Sequence, residues 1–167
     1  MDDGTPWLDD EQIRAWRLFA AVLEMLPAAL NSQLERDEHL NHAEYYSLAM
    51  LSEAPDQTLR ASALAARTNA TLPRLSRVVN RLVDAGYVRR EPCATDRRAT
   101  NLVLTDAGWA KVVRAAPAHV RAVRGFVVDA LTSEQLDQLR TISSRILATL
   151  DPAHTLLEAE SEPTKES

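Results

Sequence analysis

The sequence predicts a mainly α-helical fold with a small β wing, in which a compact central lobe is carried by long helices from both ends of the chain. Three observations predict it. Apolar residues recur at three-and-four spacing near both termini. Two short helical stretches around a tight turn occupy the middle, followed by two strand-like runs around a polar loop. Positive charge is concentrated in that middle segment, although the formal net charge of the 167-residue chain is -5.

The first helix is predicted from Asp9 to about Arg36. Ile13, Trp16, Phe19, Leu23, Leu26, Leu30 and Leu34 form its apolar side, acids crowd its positive N-terminal end, and Pro27 is expected to kink it. A second helix from about His42 to Glu53 places Tyr46, Ala49 and Met50 on its apolar side and stops before Pro55. A short strand at Thr58–Arg60 leads into a helix over Ala61–Thr68. The chain turns at Asn69–Ala70, since Asn tolerates the left-handed backbone such a turn needs. The next helix runs from Leu72 to Ala85, with Thr71 as its N-cap and Gly86 closing it.

Tyr87–Glu91 and Thr100–Leu104 read as a hairpin, with Pro92–Ala99 as a loop too long and polar for a tight turn. Thr105 caps a long helix reaching about Ala130, bent at Pro117. Thr132-Ser133-Glu134-Gln135 has the capping-box pattern and opens a last helix with Leu136, Leu139, Ile142, Ile146 and Leu150 on one side. The organisation that follows is a lobe over residues 41–104, dimerisation helices over 8–40 and 105–150, and flexible acidic tails at 1–7 and 151–167.

Composition narrows the function. Between Thr58 and Arg98 lie Arg60, Arg67, Arg74, Arg77, Arg81, Arg89, Arg90, Arg97 and Arg98, against Asp84, Glu91 and Asp96. A basic segment in an acidic chain is the electrostatic footprint of a nucleic-acid-contacting surface. Lys111 and Lys165 are the only lysines. Coding bias explains that preference as well as the superior bidentate geometry of arginine does. The start of the chain has neither a basic n-region nor an apolar h-region, and Glu24 and Pro27 interrupt the longest apolar stretch. With Cys93 as the only cysteine, a cytoplasmic protein without membrane partners is expected.

Projected at about 100° per residue, Leu72, Leu75, Val79 and Leu82 fall on one side of their helix, and Arg74, Arg77 and Arg81 form a stripe about 130° away. Thr71, Ser76 and Asn80 lie near that stripe. A helix in the major groove needs such a face, because Arg can bond two acceptors of guanine and Asn can pair with adenine. A solvated charged face is the competing reading. In the loop, Arg97 and Arg98 can reach a minor groove or its phosphates, while Asp96 can hold one of them in place.

These segments resemble the MarR family of winged helix-turn-helix regulators. The resemblance is carried by Leu64-Ala65, by Leu75-Ser76-Arg77-Val78-Val79-Asn80-Arg81-Leu82, by Gly86-Tyr87-Val88-Arg89-Arg90, by Asp96-Arg97-Arg98, and by Leu104-Thr105-Asp106-Ala107-Gly108. It spans about residues 8–150 and implies a homodimer that binds a pseudo-palindromic operator on double-stranded DNA. Arg74, Ser76, Arg77 and Arg81 would lie on the recognition helix, Arg97 or Arg98 would be the wing contact, and Asp96 would orient the loop. A repressor relieved by a small aromatic or phenolic ligand is the expected mode of action. The alternative is a winged-helix protein-interaction module without DNA binding.

Trp16, Tyr45, Tyr46 and Trp109 are either ordinary core and interface residues or the lining of a ligand pocket; Trp16, Tyr45 and Tyr46 are the ligand candidates. His39 and His42, with Glu35 and Glu38 nearby, are too loosely spaced for a metal and are expected at the surface. Cys93 and His119 are likewise expected to be exposed. No phosphate loop and no nucleophile–base arrangement is present, so neither enzyme activity nor a cofactor is expected.

Overall fold

A computed structural model describes residues 4–93 and 99–151. Six helices and three strands follow in the predicted order. They are α1 (Asp10–Glu38), α2 (His42–Ser52), β1 (Thr58–Arg60), α3 (Ala61–Arg67), α4 (Leu72–Asp84), β2 (Val88–Pro92), β3 (Thr100–Leu104), α5 (Asp106–Phe126) and α6 (Ser133–Leu150). The sheet is antiparallel with order β1-β3-β2, so β3 sits in the middle, pairing Leu59 with Leu102 and Arg90 with Leu102 on its two sides. α1 and α5 are continuous through Pro27 and Pro117. α5 ends at Phe126, short of the expected Ala130, and a single 3-10 turn, Val128–Ala130, follows.

Local chemistry accounts for the boundaries. Asp9, Asn41 and Thr132 each accept backbone N–H bonds at the start of a helix, and Gln12, Glu44 and Gln135 return the bond, completing three capping boxes. Asn69 adopts φ 47° in the turn between α3 and α4, and Gly86 adopts φ 75° after α4. Thr105 caps α5 through the Gly108 N–H at 3.0 Å and donates its hydroxyl to the Gly86 carbonyl at 2.7 Å. Gly108 passes so close to the Tyr87 backbone oxygen that a Cβ would collide with it. That contact explains the glycine of the Leu-Thr-x-x-Gly pattern, because the first turn of α5 passes the backbone of Tyr87 with no room for a side chain.

The core lies inside the lobe. Leu34, Leu48, Leu51, Leu64, Leu82 and Leu102 are fully buried, joined by Leu40, Leu75, Val79, Val88, Leu104 and Ala115. α1 contributes only through its last turns, where Gln33, Leu34 and Glu38 are its buried residues. Its first half extends away with Trp16, Leu18, Val22, Leu23 and Met25 all exposed. No residue of α6 is buried.

One charged cluster joins the end of α1 to α5. The Lys111 Nζ donates to the Glu38 carboxylate at 3.0 Å and to the Glu38 carbonyl, and the Arg114 Nε donates to the same carboxylate oxygen at 2.9 Å. Lys111 also lies 5.8 Å from the centre of the Tyr87 ring. The expected surface position of Glu38 is therefore corrected: it is buried because α5 crosses α1 there and supplies two cations. Burial opposes the charge of Glu38, but the hydrogen bonds and positive charge of Arg114 and Lys111 outweigh it and hold the carboxyl below its ordinary value.

Lys111→Ala leaves Glu38 with Arg114 alone and is expected to cost about 3 kcal/mol, the lower end for breaking a buried pair, in urea unfolding. The depressed carboxyl makes its contribution above the unfolded value of 4.5 and loses it as pH falls through the lower folded value. Wild type should accordingly lose more stability than Glu38→Gln when both are acidified from pH 6 to below 4.

Candidate nucleic-acid interface

α4 has two chemically distinct sides. Leu75, Val78, Val79 and Leu82 are buried at 7% exposure or less. Thr71, Arg74, Ser76, Arg77, Asn80 and Arg81 are exposed. The Thr71 hydroxyl caps the helix by accepting from the Arg74 N–H at 3.4 Å. The apolar side differs from the sequence expectation at one position: Leu72 is 58% exposed, and Val78 takes a place in the core instead. The buried stripe is centred between Leu75 and Leu82, and Leu72 lies about 70° from that centre, at the first turn.

Two of the exposed polar residues are held in place by neighbours that sequence reasoning did not connect to them. The Arg81 Nε lies 2.9 Å from the Glu44 carboxylate. Glu44 is buried, and its other oxygen accepts the Asn41 N–H at 2.8 Å, so the cap of α2 orients a guanidinium of α4. On the opposite edge, Arg90 of β2 donates to the Asn80 Oδ1 at 2.6 Å. No periodicity within α4 reports either bond, since both partners come from other elements. Asp96, Arg97 and Arg98 lie outside the described residues.

Arg74, Arg77 and Arg81 form one wall of an open hollow of about 450 Å³, with Pro27 and Asn31 of α1 and Asn41, His42 and Ala43 of the α2 start opposite. Asn31 fixes this junction by accepting the His42 N–H at 2.9 Å. The candidate ligand residues are divided by the structure. Tyr45 and Tyr46 are brought together with His42 and His119: Tyr45 lies 4.6 Å from the His119 ring, and Tyr46 stacks on His42 at 6.1 Å. Trp16 lies instead beside Phe19 on the projecting half of α1.

Two further expectations are corrected here. His119 is half-buried against Tyr45, with its Nδ1 3.3 Å from the Gln33 side-chain oxygen, because α5 turns this face onto α1 and α2. Cys93 is buried at the base of the wing, where its N–H closes the hairpin by donating to the Ala99 carbonyl at 3.2 Å. Trp109 is 44% exposed on α5. Among the described residues no group of His, Cys, Asp and Glu could hold a metal ion, and no helix is long and apolar enough to cross a membrane.

A helix-turn-helix whose second helix buries an apolar side and exposes a basic one, backed by a three-stranded wing sheet, defines a winged helix-turn-helix protein. Comparison narrows the class. A family model described as MarR family matches residues 40–99. Sco3205, a MarR family transcriptional regulator from Streptomyces coelicolor solved in complex with DNA, is 39% identical with a TM-score of 0.87, over 91% of this chain and 95% of that one. AbsC, another MarR family regulator from Streptomyces coelicolor, is 36% identical with a TM-score of 0.83, over 87% of this chain and 98% of that one. The Escherichia coli regulator PrsX is 28% identical over 115 residues, 67% of each protein. The chain belongs to the MarR family. It is a transcriptional regulator by that membership and not an enzyme.

His42 and His119 lie 6.3 Å apart at the junction of α1, α2 and α5. Burial lowers the pKa of His42; burial and then the charge of His42 lower that of His119. A histidine whose folded pKa is depressed favours folding above the unfolded value of 6.5 and penalises it as pH falls through 6.5 toward the folded value. Unfolding free energy should therefore decline from pH 7 toward pH 5, and His119→Gln should flatten that decline in urea titrations run at each pH.

Proposed function

We propose that the protein is a homodimeric repressor that binds a pseudo-palindromic operator on double-stranded DNA and is released by a small aromatic or phenolic ligand. The observation that carries the reading is the exposed side of α4, where Arg74, Arg77 and Arg81 stand clear of the core that holds the helix. In this reading α4 enters the major groove. Arg77 reaches base edges, while Arg74, Ser76 and Arg81 set the helix against bases and phosphates. Thr71 and Asn80 take part at the helix start and at the wing edge, Asn80 with its bond to Arg90. Arg97 and Arg98 contact the backbone or minor groove from the wing, with Asp96 holding the loop. That DNA-bound Sco3205 matches nearly the whole chain supports the same assignment.

The dimer is supported by the exposed apolar side chains at the two ends. Trp16, Leu18, Val22, Leu23 and Met25 on α1, Val113, Val120 and Phe126 on α5, and Leu139, Ile142 and Leu150 on α6 form more apolar surface than a soluble monomer ordinarily leaves open. A second copy related by a two-fold axis covers such arms with identical ones and presents two α4 helices to successive grooves. Residues 8–40 and 105–150 then serve dimerisation and 41–104 serve DNA binding. The ligand reading is supported by the junction of the arm and the lobe, where the hollow beside the α4 arginines suits an aromatic carboxylate and Tyr46 stacks on His42, which borders it. Such a ligand releases DNA only by favouring the non-binding arrangement, so operator and ligand must weaken each other.

Light scattering at micromolar concentration should give the mass of a dimer; a monomer would sink the proposed assembly. Operator should be selected from a random DNA pool and binding followed by fluorescence anisotropy. Arg77→Ala is expected to lose about 1–3 kcal/mol on that operator, and unchanged affinity would remove α4 from the role of recognition helix. Aromatic carboxylates titrated into the wild-type complex should lower the anisotropy if the ligand reading holds.

A further inference from the structure

Resting on the DNA-binding reading above, we propose that Leu72 is a base-reading residue that packs against the 5-methyl group of a thymine in each operator half-site. Leu72 is 58% exposed, whereas the other leucines and valines that anchor α4 are at most 7% exposed. It is the first residue of α4, next to the cap Thr71. The N-terminal residues of a recognition helix are the ones that approach base edges. An exposed leucine at that end is an apolar probe on a side that, Pro73 apart, is polar or charged.

The surroundings favour an apolar contact. Around the helix, Arg77, Arg81 and Arg74 lie about 140–200° from Leu72, so the guanidiniums occupy the other edge. On the Leu72 edge a shallow recess of about 240 Å³ is lined by Ala61, Leu75, Val79 and Leu102, with Arg90 at its rim. Asn80 holds that Arg90 at 2.6 Å, which leaves a cation beside the recess to face the phosphates flanking the base.

The chemistry selects the occupant. Leucine neither donates nor accepts hydrogen bonds, so it cannot distinguish the nitrogen and oxygen pattern of a base edge. The one apolar group that an unmodified base pair displays in the major groove is the thymine methyl. Leu72 therefore reports thymine at one position of each half-site, with the arginines reading from the opposite edge of the helix.

The test replaces each thymine of the selected operator in turn by deoxyuridine, symmetrically in both half-sites, and measures affinity by fluorescence anisotropy. Deoxyuridine lacks only the methyl group. One symmetric position should weaken binding about fourfold per methyl and about fifteenfold for the pair, the loss expected for a buried methyl-sized group. Leu72→Ser should bind the thymine and deoxyuridine operators equally while keeping the wild-type melting temperature, because the side chain is outside the core. A flat scan with tight wild-type binding would overturn the role of Leu72 and leave the DNA-binding reading standing. Undiminished discrimination by Leu72→Ser would overturn it too. If no DNA were selected at all, the DNA-binding reading would fail and this assignment with it. Should Leu72→Ser not fold, Leu72→Ala takes its place in the same comparison and should likewise lose most of the discrimination.

Discussion

The contact between Glu38, Lys111 and Arg114 is the constraint on which the rest of the arrangement depends. It joins the last turn of α1 to the second and third turns of α5, where the two terminal helices cross. A buried carboxylate is costly unless cations and hydrogen bonds surround it, and here two cations do. The geometry is narrow as a result: α5 must cross α1 where both Lys111 and Arg114 reach one carboxylate oxygen. The close pass of Gly108 against Tyr87 fixes the other end of the same turn of α5. Between them, these contacts set the angle at which the arms leave the lobe. In the proposed dimer that angle sets the distance between the two copies of α4.

The same economy of charge governs α4. Its arginines sit on a surface where water screens them, and the elements behind that surface steer individual side chains. Glu44 both caps α2 and holds Arg81; Asn80 holds Arg90. Such contacts reduce the rotamer freedom of long side chains before any partner arrives, which lowers the ordering cost of binding. They also tie the arginine face to α2, whose first turn carries His42 and borders the hollow beneath α1. Arg74, Arg77 and Arg81 themselves line that hollow, so the exposed face of α4 and the hollow share side chains.

The arms make a different use of apolar residues. In the lobe, leucines fill a single core; on the first half of α1 and along α6 they stand exposed. Helices of this kind draw little stability from their own chain, since most helical stability comes from packing an apolar face. Their order is bound up with whatever covers them. The interior of the lobe, by contrast, is satisfied within one chain: among the described residues no buried side-chain nitrogen or oxygen lacks a hydrogen-bond partner.

The sequence by itself determined the element order, the caps and the basic side of α4, because each depends on residues close together in the chain. Thr71 and Arg74 are three apart, Asn69 needs only its own backbone, and the Arg74-Arg77-Arg81 stripe follows from helical periodicity. The tertiary structure alone decided the burial of Glu38, the inward turn of His119, the closed position of Cys93 and the exposure of Leu72. Glu38 meets Lys111 across 73 residues, and Gln33 meets His119 across 86. No local pattern contains such a pairing. Leu72 failed the periodic rule for a related reason: a helical wheel gives the direction of a side chain, and only the packed neighbours decide whether anything lies in that direction.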